Sequence, residues 1–343
     1  MIKINLALQG GGAHGAFTWG VLDRILEDED IEIAAISGTS AGALNAAALK
    51  SGMVKDGREG AREALAWVWG KVGAVPQDGF TQWLNTWSPS NQVFADALEK
   101  SPAFAAMDMM QRMMSPYVYG PLLKNPLEGI LNQLDFASVC GVAGPEIHIC
   151  ATNVRSGKIR VFAGKEITPE AIMASACLPT VFQAVEIFDP KTGQTEAYWD
   201  GGYTGNPALY PLFLPHLPDD ILIVNINPLY RQELPTQTQS IQNRINEISF
   251  NSSLFRELRA IDFVKRLLID GKLPSGTMKD VLVHMVADDA LMNTLNVATK
   301  TVAIPVMLQR LKDAGRTAAD QFLTAHKADL NKRSTVDLTA MFS

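Results

Sequence analysis

The sequence predicts an α/β protein built around a mostly parallel sheet. Three observations carry that expectation. Ile2 to Leu8 is a short apolar run that passes directly into a cluster of glycines, Gly10, Gly11 and Gly12. Phe17, Val21, Leu22, Ile25 and Leu26 then recur at helical spacing within Ala16 to Glu27. Ile31 to Ile36 is a second apolar run, followed by Ser37-Gly38-Thr39-Ser40-Ala41-Gly42 and an alanine-rich helix from Ala43 to Leu49, with a stop expected near Gly52. Strand, helix, strand, helix with tight glycine turns describes a βαβ unit.

The remaining elements follow in order. Residues from about 56 to 135 read as a helical insert with loops, containing Trp67, Trp69, Trp83 and Trp87 and a methionine cluster at Met107, Met109, Met110, Met113 and Met114. Glu146 to Asn153 and Lys158 to Phe162 form a hairpin around Arg155-Ser156-Gly157. Thr168 caps a helix whose first residue is Pro169 and which ends before Cys177-Leu178-Pro179. Val185 to Phe188 and Thr195 to Trp199 form a second hairpin around the turn Asp189-Pro190-Lys191-Thr192-Gly193, and Asp200-Gly201-Gly202 follows it. Ile221 to Asn225 is a buried strand, and from about 236 onward the pattern is helical and charged, with a break between Gly271 and Gly276.

Composition excludes several classes. Hydrophobic residues make up 47% of the 343 residues and charged residues 19%, a globular balance. The net charge of -6 offers no basic footprint, so no nucleic-acid partner is expected. No uncharged apolar run reaches the ~18 residues of a membrane span, and the apolar stretch near Met1 is too short for a signal peptide. Cys140, Cys150 and Cys177 form no CxxC pair, which fits a reduced, cytoplasmic protein. No ligand cluster suggests a metal, and no cofactor is expected.

Two glycine-rich turns carry the chemistry. Gly38-Thr39-Ser40-Ala41-Gly42 fits G-x-S-x-G between a strand and a helix. That context holds a serine in a strained turn with its hydroxyl projecting, beside the N-terminal end of the next helix. The other reading is a small-residue turn that lets helix and sheet pack closely. Gly10 to Gly15 also joins strand to helix, and its backbone N–H groups suit an oxyanion. Gly10, Gly12 and Gly15 satisfy G-x-G-x-x-G as well, but a dinucleotide site needs an acidic residue at the end of the second strand, and the nearest, Glu32, lies at its start.

A nucleophilic serine needs a base. The histidines are His14, His148, His216, His284 and His326. The Ser, Asp, His order of α/β-hydrolases, with a late serine, does not fit a serine on the second strand. Asp200 ends a strand before two glycines and would serve if burial raised its pKa from ~3.9. On composition alone, Asp-Gly-Gly is a turn.

The ordered set of G-G-G-x-x-G at Gly10 to Gly15, G-T-S-A-G at Gly38 to Gly42 and D-G-G at Asp200 to Gly202 resembles the patatin-like phospholipases, as does Ala174-Ser175-Ala176-Cys177-Leu178-Pro179. The resemblance spans roughly residues 4 to 210. It implies a three-layer α/β/α fold and a Ser–Asp dyad without histidine. Ser40 would be the nucleophile, Asp200 the base, and the loop Gly10, Gly11 and Gly12 the oxyanion hole, Gly11 and Gly12 foremost. The family's loop carries Arg or Lys where this chain has His14, which makes His14 a candidate substrate contact. The expected layout is a catalytic domain over 1–235 and a helical C-terminal extension over 236–343 packed on it. The expected activity is hydrolysis of lipid carboxyl esters, of phospholipase A or lysophospholipase type. The rivals are another apolar ester (a neutral glyceride, a thioester or a polyester) and a non-catalytic lipid- or protein-binding scaffold. The tryptophans and methionines of the insert suit a lid, an acyl groove or peripheral membrane contact, although such a cluster at helical spacing is more often core. Arg256, Arg259, Lys265 and Arg266 suit a solvated helix face, or contact with anionic lipid. The sequence leaves the oligomeric state open.

Overall fold

A computed structural model describes residues 1–74, 90–119, 125–236, 238–274 and 276–342. Trp83 and Trp87 lie outside them. One sheet runs in the order β5-β6-β3-β2-β1-β7-β8, with β4 paired to β3. The strands are β1 (Ile2–Leu8), β2 (Ile31–Thr39), β3 (Glu146–Asn153), β4 (Ile159–Ala163), β5 (Val185–Asp189), β6 (Gln194–Asp200), β7 (Asp220–Asn225) and β8 (Leu282–Ala287). The five strands β3, β2, β1, β7 and β8 are mutually parallel, and β4, β5 and β6 are antiparallel additions.

Both faces of the sheet are covered, which explains the unbroken apolar strands. In β7, Leu222 and Val224 enter one core with Leu6, Leu8 and Ile36, while Ile221 and Ile223 enter the other with Ala7 and Val283. The first core is closed by α1 (Gly15–Leu26), α2 (Ala41–Gly73), α3 (Pro169–Ser175) and, further along the chain, α5 (Pro305–His326). The second is closed by α4 (Thr238–Ile269), through Leu254, Leu258 and Ile261. Each fully buried Leu or Ile contributes roughly 2 kcal/mol of transfer free energy.

Two expectations need correction. The helix after Ser40 breaks not at Gly52 but slightly later, at the non-helical Asp56 and Gly57, beyond which a second helical stretch continues to Gly73. Gly52 serves close packing there, since a Cβ on it would lie 2.0 Å from the Gly60 carbonyl. The stretch from 236 is also not purely helical. It supplies β8, which extends the sheet begun by the first half of the chain. The histidine in LVHMVA hid that strand. His284 is buried on Asp220 Oδ1 at 2.9 Å and Thr335 Oγ1 at 3.1 Å, so a polar residue sits satisfied inside a core strand.

Among the described residues no helix is long and apolar enough to cross a membrane. The basic residues of α4 are engaged within the protein. Lys265 pairs with Asp280, Arg266 with Asp262, Arg259 stacks over Phe342, and Arg256 bonds the Ser252 carbonyl.

Candidate active site

Strand register brings the two distant motifs to one end of the sheet. Thr39 of β2 lies opposite Cys150 of β3, and Ala151 of β3 lies opposite Asp200 of β6. Ser40 therefore leaves β2 level with the end of β6, one strand away. Gly201 closes the remaining gap. A Cβ on it would meet the Cys150 carbonyl at 2.2 Å and Thr39 Cγ2 at 3.0 Å, so only glycine lets the turn cross over β3.

Ser40 sits between β2 and α2 at φ 54 and ψ −119, a left-handed conformation that costs about 1–3 kcal/mol for a non-glycine residue. A short relay holds it there. Ser40 N–H donates to Ser175 Oγ at 2.8 Å, and the Ser175 hydroxyl donates to the Cys150 carbonyl at 2.6 Å. Sequence reasoning quoted Ser175 only as part of a small-residue block. Its position at the end of α3, facing the nucleophile turn, is a tertiary fact.

The glycine loop presses on the serine from the other side. A Cβ on Gly10 would lie 2.7 Å from Ser40 Cβ. Gly10 is not itself a free donor, contrary to expectation, because its N–H is taken by Asn206 Oδ1 at 2.6 Å. Among the described residues the N–H groups of Gly11 and Gly12 have no acceptor. Gly12 stands at φ +58 at the start of the short turn that leads into α1. The loop is framed by Gln9, Asn206 and Asn227, none of which the sequence singled out. Gln9 directly precedes the glycines and Asn206 follows the D-G-G turn, which were the available signals.

Asp200 is 1% exposed. Its Oδ1 accepts from Gly202 N–H at 2.7 Å, its own N–H donates to the Cys177 carbonyl at 2.8 Å, and its carbonyl accepts from Thr152 Oγ1 at 2.8 Å. Burial pushes the carboxyl up to about 7, against the opposing pull of Gly202 N–H and of the Ser40 hydroxyl facing it. The strained serine turn and the buried carboxyl thus share one end of the sheet with two amide donors that have no acceptor among the described residues.

His14 is not part of this arrangement. It is 1% exposed, with Nε2 2.9 Å from Thr299 Oγ1. That hydroxyl already donates to the Asn296 carbonyl, so Nε2 carries the imidazole proton and Nδ1 is left without a partner among the described residues. Burial first, then Lys300 and Arg231, hold its pKa well below 6.5. The expectation of a substrate contact fails because the side chain turns into the protein as a neutral core group. The other histidines bond elsewhere: His284 to Asp220, His326 to Asp329 and His216 to Glu146, while His148 lies on β3 across from Ser37. Among the described residues no three His, Cys, Asp or Glu side chains are grouped to hold a metal ion.

The patatin-like phospholipase family model matches residues 6–213. No curated protein matches the chain. Among solved structures, VipD from Legionella pneumophila is similar at 16% identity and a TM-score of 0.41, over 94% of this chain and 67% of that one. The type III effector ExoU is similar at 15% identity and a TM-score of 0.33, over 95% of this chain. In complex with SpcU from Pseudomonas aeruginosa, ExoU is similar at 20% identity and a TM-score of 0.27. This chain spans about half the length of ExoU, 53% and 50% in the two structures. The match over more than half of its residues makes this chain a member of the patatin-like phospholipase family, a family of lipid acyl hydrolases.

Proposed function

We propose that the protein is a serine acyl hydrolase of lipid carboxyl esters, of phospholipase A or lysophospholipase type, working through Ser40 and Asp200. The observation that carries this reading is the register that brings Ser40, in its strained turn, and the buried Asp200 to one end of the sheet beside the glycine loop. Ser40 Oγ attacks the ester carbonyl carbon while its proton passes to the Asp200 carboxylate. The carbonyl oxygen gains negative charge and rests on the N–H groups of Gly11 and Gly12. Collapse of this intermediate expels the alcohol, which takes the proton back from Asp200. Water, deprotonated by Asp200 in its turn, then releases the fatty acid from the acyl-serine.

An apolar substrate suits the surroundings. A cavity of about 160 Å³, lined by Met173, Cys177, Val181, Phe182 and Val185 together with the polar Asn125 and Gln183, shares Cys177 with the site, since the Cys177 carbonyl accepts the Asp200 N–H. Next to it, Tyr117 OH accepts from Ala184 N–H at 3.3 Å. Tyr117 is itself exposed, as are its chain neighbours Val118, Met113 and Met114, and such apolar residues would suit a membrane surface.

The test is turnover of a panel comprising phospholipid vesicles, lysophospholipid, a neutral glyceride, a thioester and a short aryl ester. The reading expects release of fatty acid from the phospholipids, lost in Ser40→Ala. Turnover confined to the other esters would move the substrate class. No turnover on any member, with Ser40 inert to fluorophosphonates, would leave a scaffold.

A further inference from the structure

The glycine loop beside Ser40 is held from behind by two asparagine side chains that bond its first residue. Gly10 is clamped on both polar groups. Its N–H donates to Asn206 Oδ1 at 2.6 Å, and its carbonyl accepts from Asn227 Nδ2 at 2.8 Å and from Asn206 Nδ2 at 3.4 Å. The Gly10–Gly11 peptide is trans, so its carbonyl and its N–H point in opposite directions within one rigid plane. An anchor on the Gly10 carbonyl therefore sets the direction of the Gly11 N–H. Glycine imposes no direction of its own, because its backbone is the least restricted of any residue. A carbonyl that accepts a hydrogen bond also polarises its own amide and strengthens the N–H as a donor.

Asn227 is itself held at three points. Its backbone N–H donates to Gln9 Oε1 at 3.0 Å, its Nδ2 reaches the same oxygen at 3.1 Å, and its Oδ1 accepts from Lys300 Nζ at 3.3 Å. Lys300 is fixed in turn by the buried Glu247, which also binds Arg231 and Arg244. The backbone of Lys300 packs under the loop, where a Cβ on Gly12 would lie 2.3 Å from its carbonyl.

We propose that Asn227 is a positioning residue for ester hydrolysis: through the Gly10 carbonyl it points the Gly11 N–H at the oxyanion, and Lys300 orients its amide for that task. This rests on the Ser40–Asp200 reading above. Asn227 touches neither substrate nor reacting atoms.

The test compares Asn227→Ala and Asn227→Asp with the parent protein. The aspartate keeps the shape and an acceptor for Lys300 but has no donor for the Gly10 carbonyl. Two readouts are taken. One is kcat and KM on a soluble aryl ester. The other is inhibition by an alkyl trifluoromethyl ketone, set against binding of an alkyl alcohol of the same chain length. The ketone adds the Ser40 oxygen to its carbonyl carbon, its carbonyl oxygen takes the charge, and the serine proton passes to Asp200, so it reports oxyanion stabilisation. The alcohol reports the apolar site alone. Both variants should lose about 10–100-fold in kcat with KM changed by less than about threefold. Ketone affinity should fall by the same factor as kcat, and alcohol affinity should hold. Unchanged ketone affinity overturns the proposal, and so does a parallel fall of ketone and alcohol, which is the mark of a disordered pocket. Ser40→Ala is run alongside. If it keeps parental turnover, the dyad reading itself has failed, whatever Asn227 does.

Discussion

Asp200 ends its strand one strand away from the Ser40 turn, at the same end of the sheet and almost fully withdrawn from water, and it is that withdrawal, not an anionic neighbour, that raises its carboxyl to about 7. A base must be ionised to accept a proton. Hydrolysis of a soluble ester should therefore rise about tenfold per pH unit below neutrality, with a midpoint near 7, and level off above it. Steady-state kcat/KM between pH 5 and 9 measures this. A midpoint near the ordinary carboxylate value would show a solvated Asp200.

Replacing the base separates chemistry from folding. Asp200→Asn keeps the shape of the side chain and an acceptor for Gly202 N–H, and should cost about 10²–10⁴-fold in turnover. The same change should stabilise the fold. The carboxyl binds its proton more tightly folded than unfolded, so its stabilising contribution is complete below about pH 4 and drains away as pH rises towards 7. The asparagine escapes that loss. Urea unfolding should show the variant gaining on the parent from pH 4 to 7, by on the order of 2–4 kcal/mol, and holding the gain above. A gain independent of pH would contradict the burial argument.

The contact between loop and nucleophile makes Gly10 intolerant of any side chain. Gly10→Ala places a Cβ 2.7 Å from Ser40 Cβ and 2.9 Å from the Thr39 carbonyl, and both are fixed parts of the turn. Activity should fall by more than about 100-fold as the loop moves off the oxyanion position. Gly129→Ala, which meets nothing within 4 Å, is the control and should retain parental activity.

His14 gives the opposite kind of prediction. Arginine at this position would bury a guanidinium at a 1%-exposed site beside Lys300 and Arg231. His14→Arg should lower unfolding stability by about 3 kcal/mol or more, and lower turnover on every ester alike in proportion to folded protein. A selective change in phospholipid headgroup preference, with stability intact, would restore His14 to the substrate site.

Much of this was legible before the structure because local signals and tertiary outcome agree. Thr168 and Pro169 start a helix where capping chemistry requires one, and the hairpin closed by Asp189 to Gly193 follows its turn residues. Ser40 was legible because strand, glycine turn and helix are consecutive in the chain. What was not legible depends on partners distant in sequence. Gly10 looked like an oxyanion donor until Asn206 was found to hold its N–H. His14 looked like a substrate contact until the structure showed it buried against Thr299. β8 was hidden because a histidine interrupts its apolar run, and only Asp220 and Thr335 explain how that residue is tolerated.

The most direct test of the Ser40–Asp200 pair is covalent. An alkyl fluorophosphonate is reacted with the folded protein across pH, and the adduct is located by peptide mass mapping. The account predicts a single adduct on Ser40, formed at a rate that rises through a midpoint near pH 7 and slowed by about 10²-fold or more in Asp200→Asn. An adduct on another residue, or labelling of Ser40 at the parental rate in the Asp200→Asn protein, would contradict it.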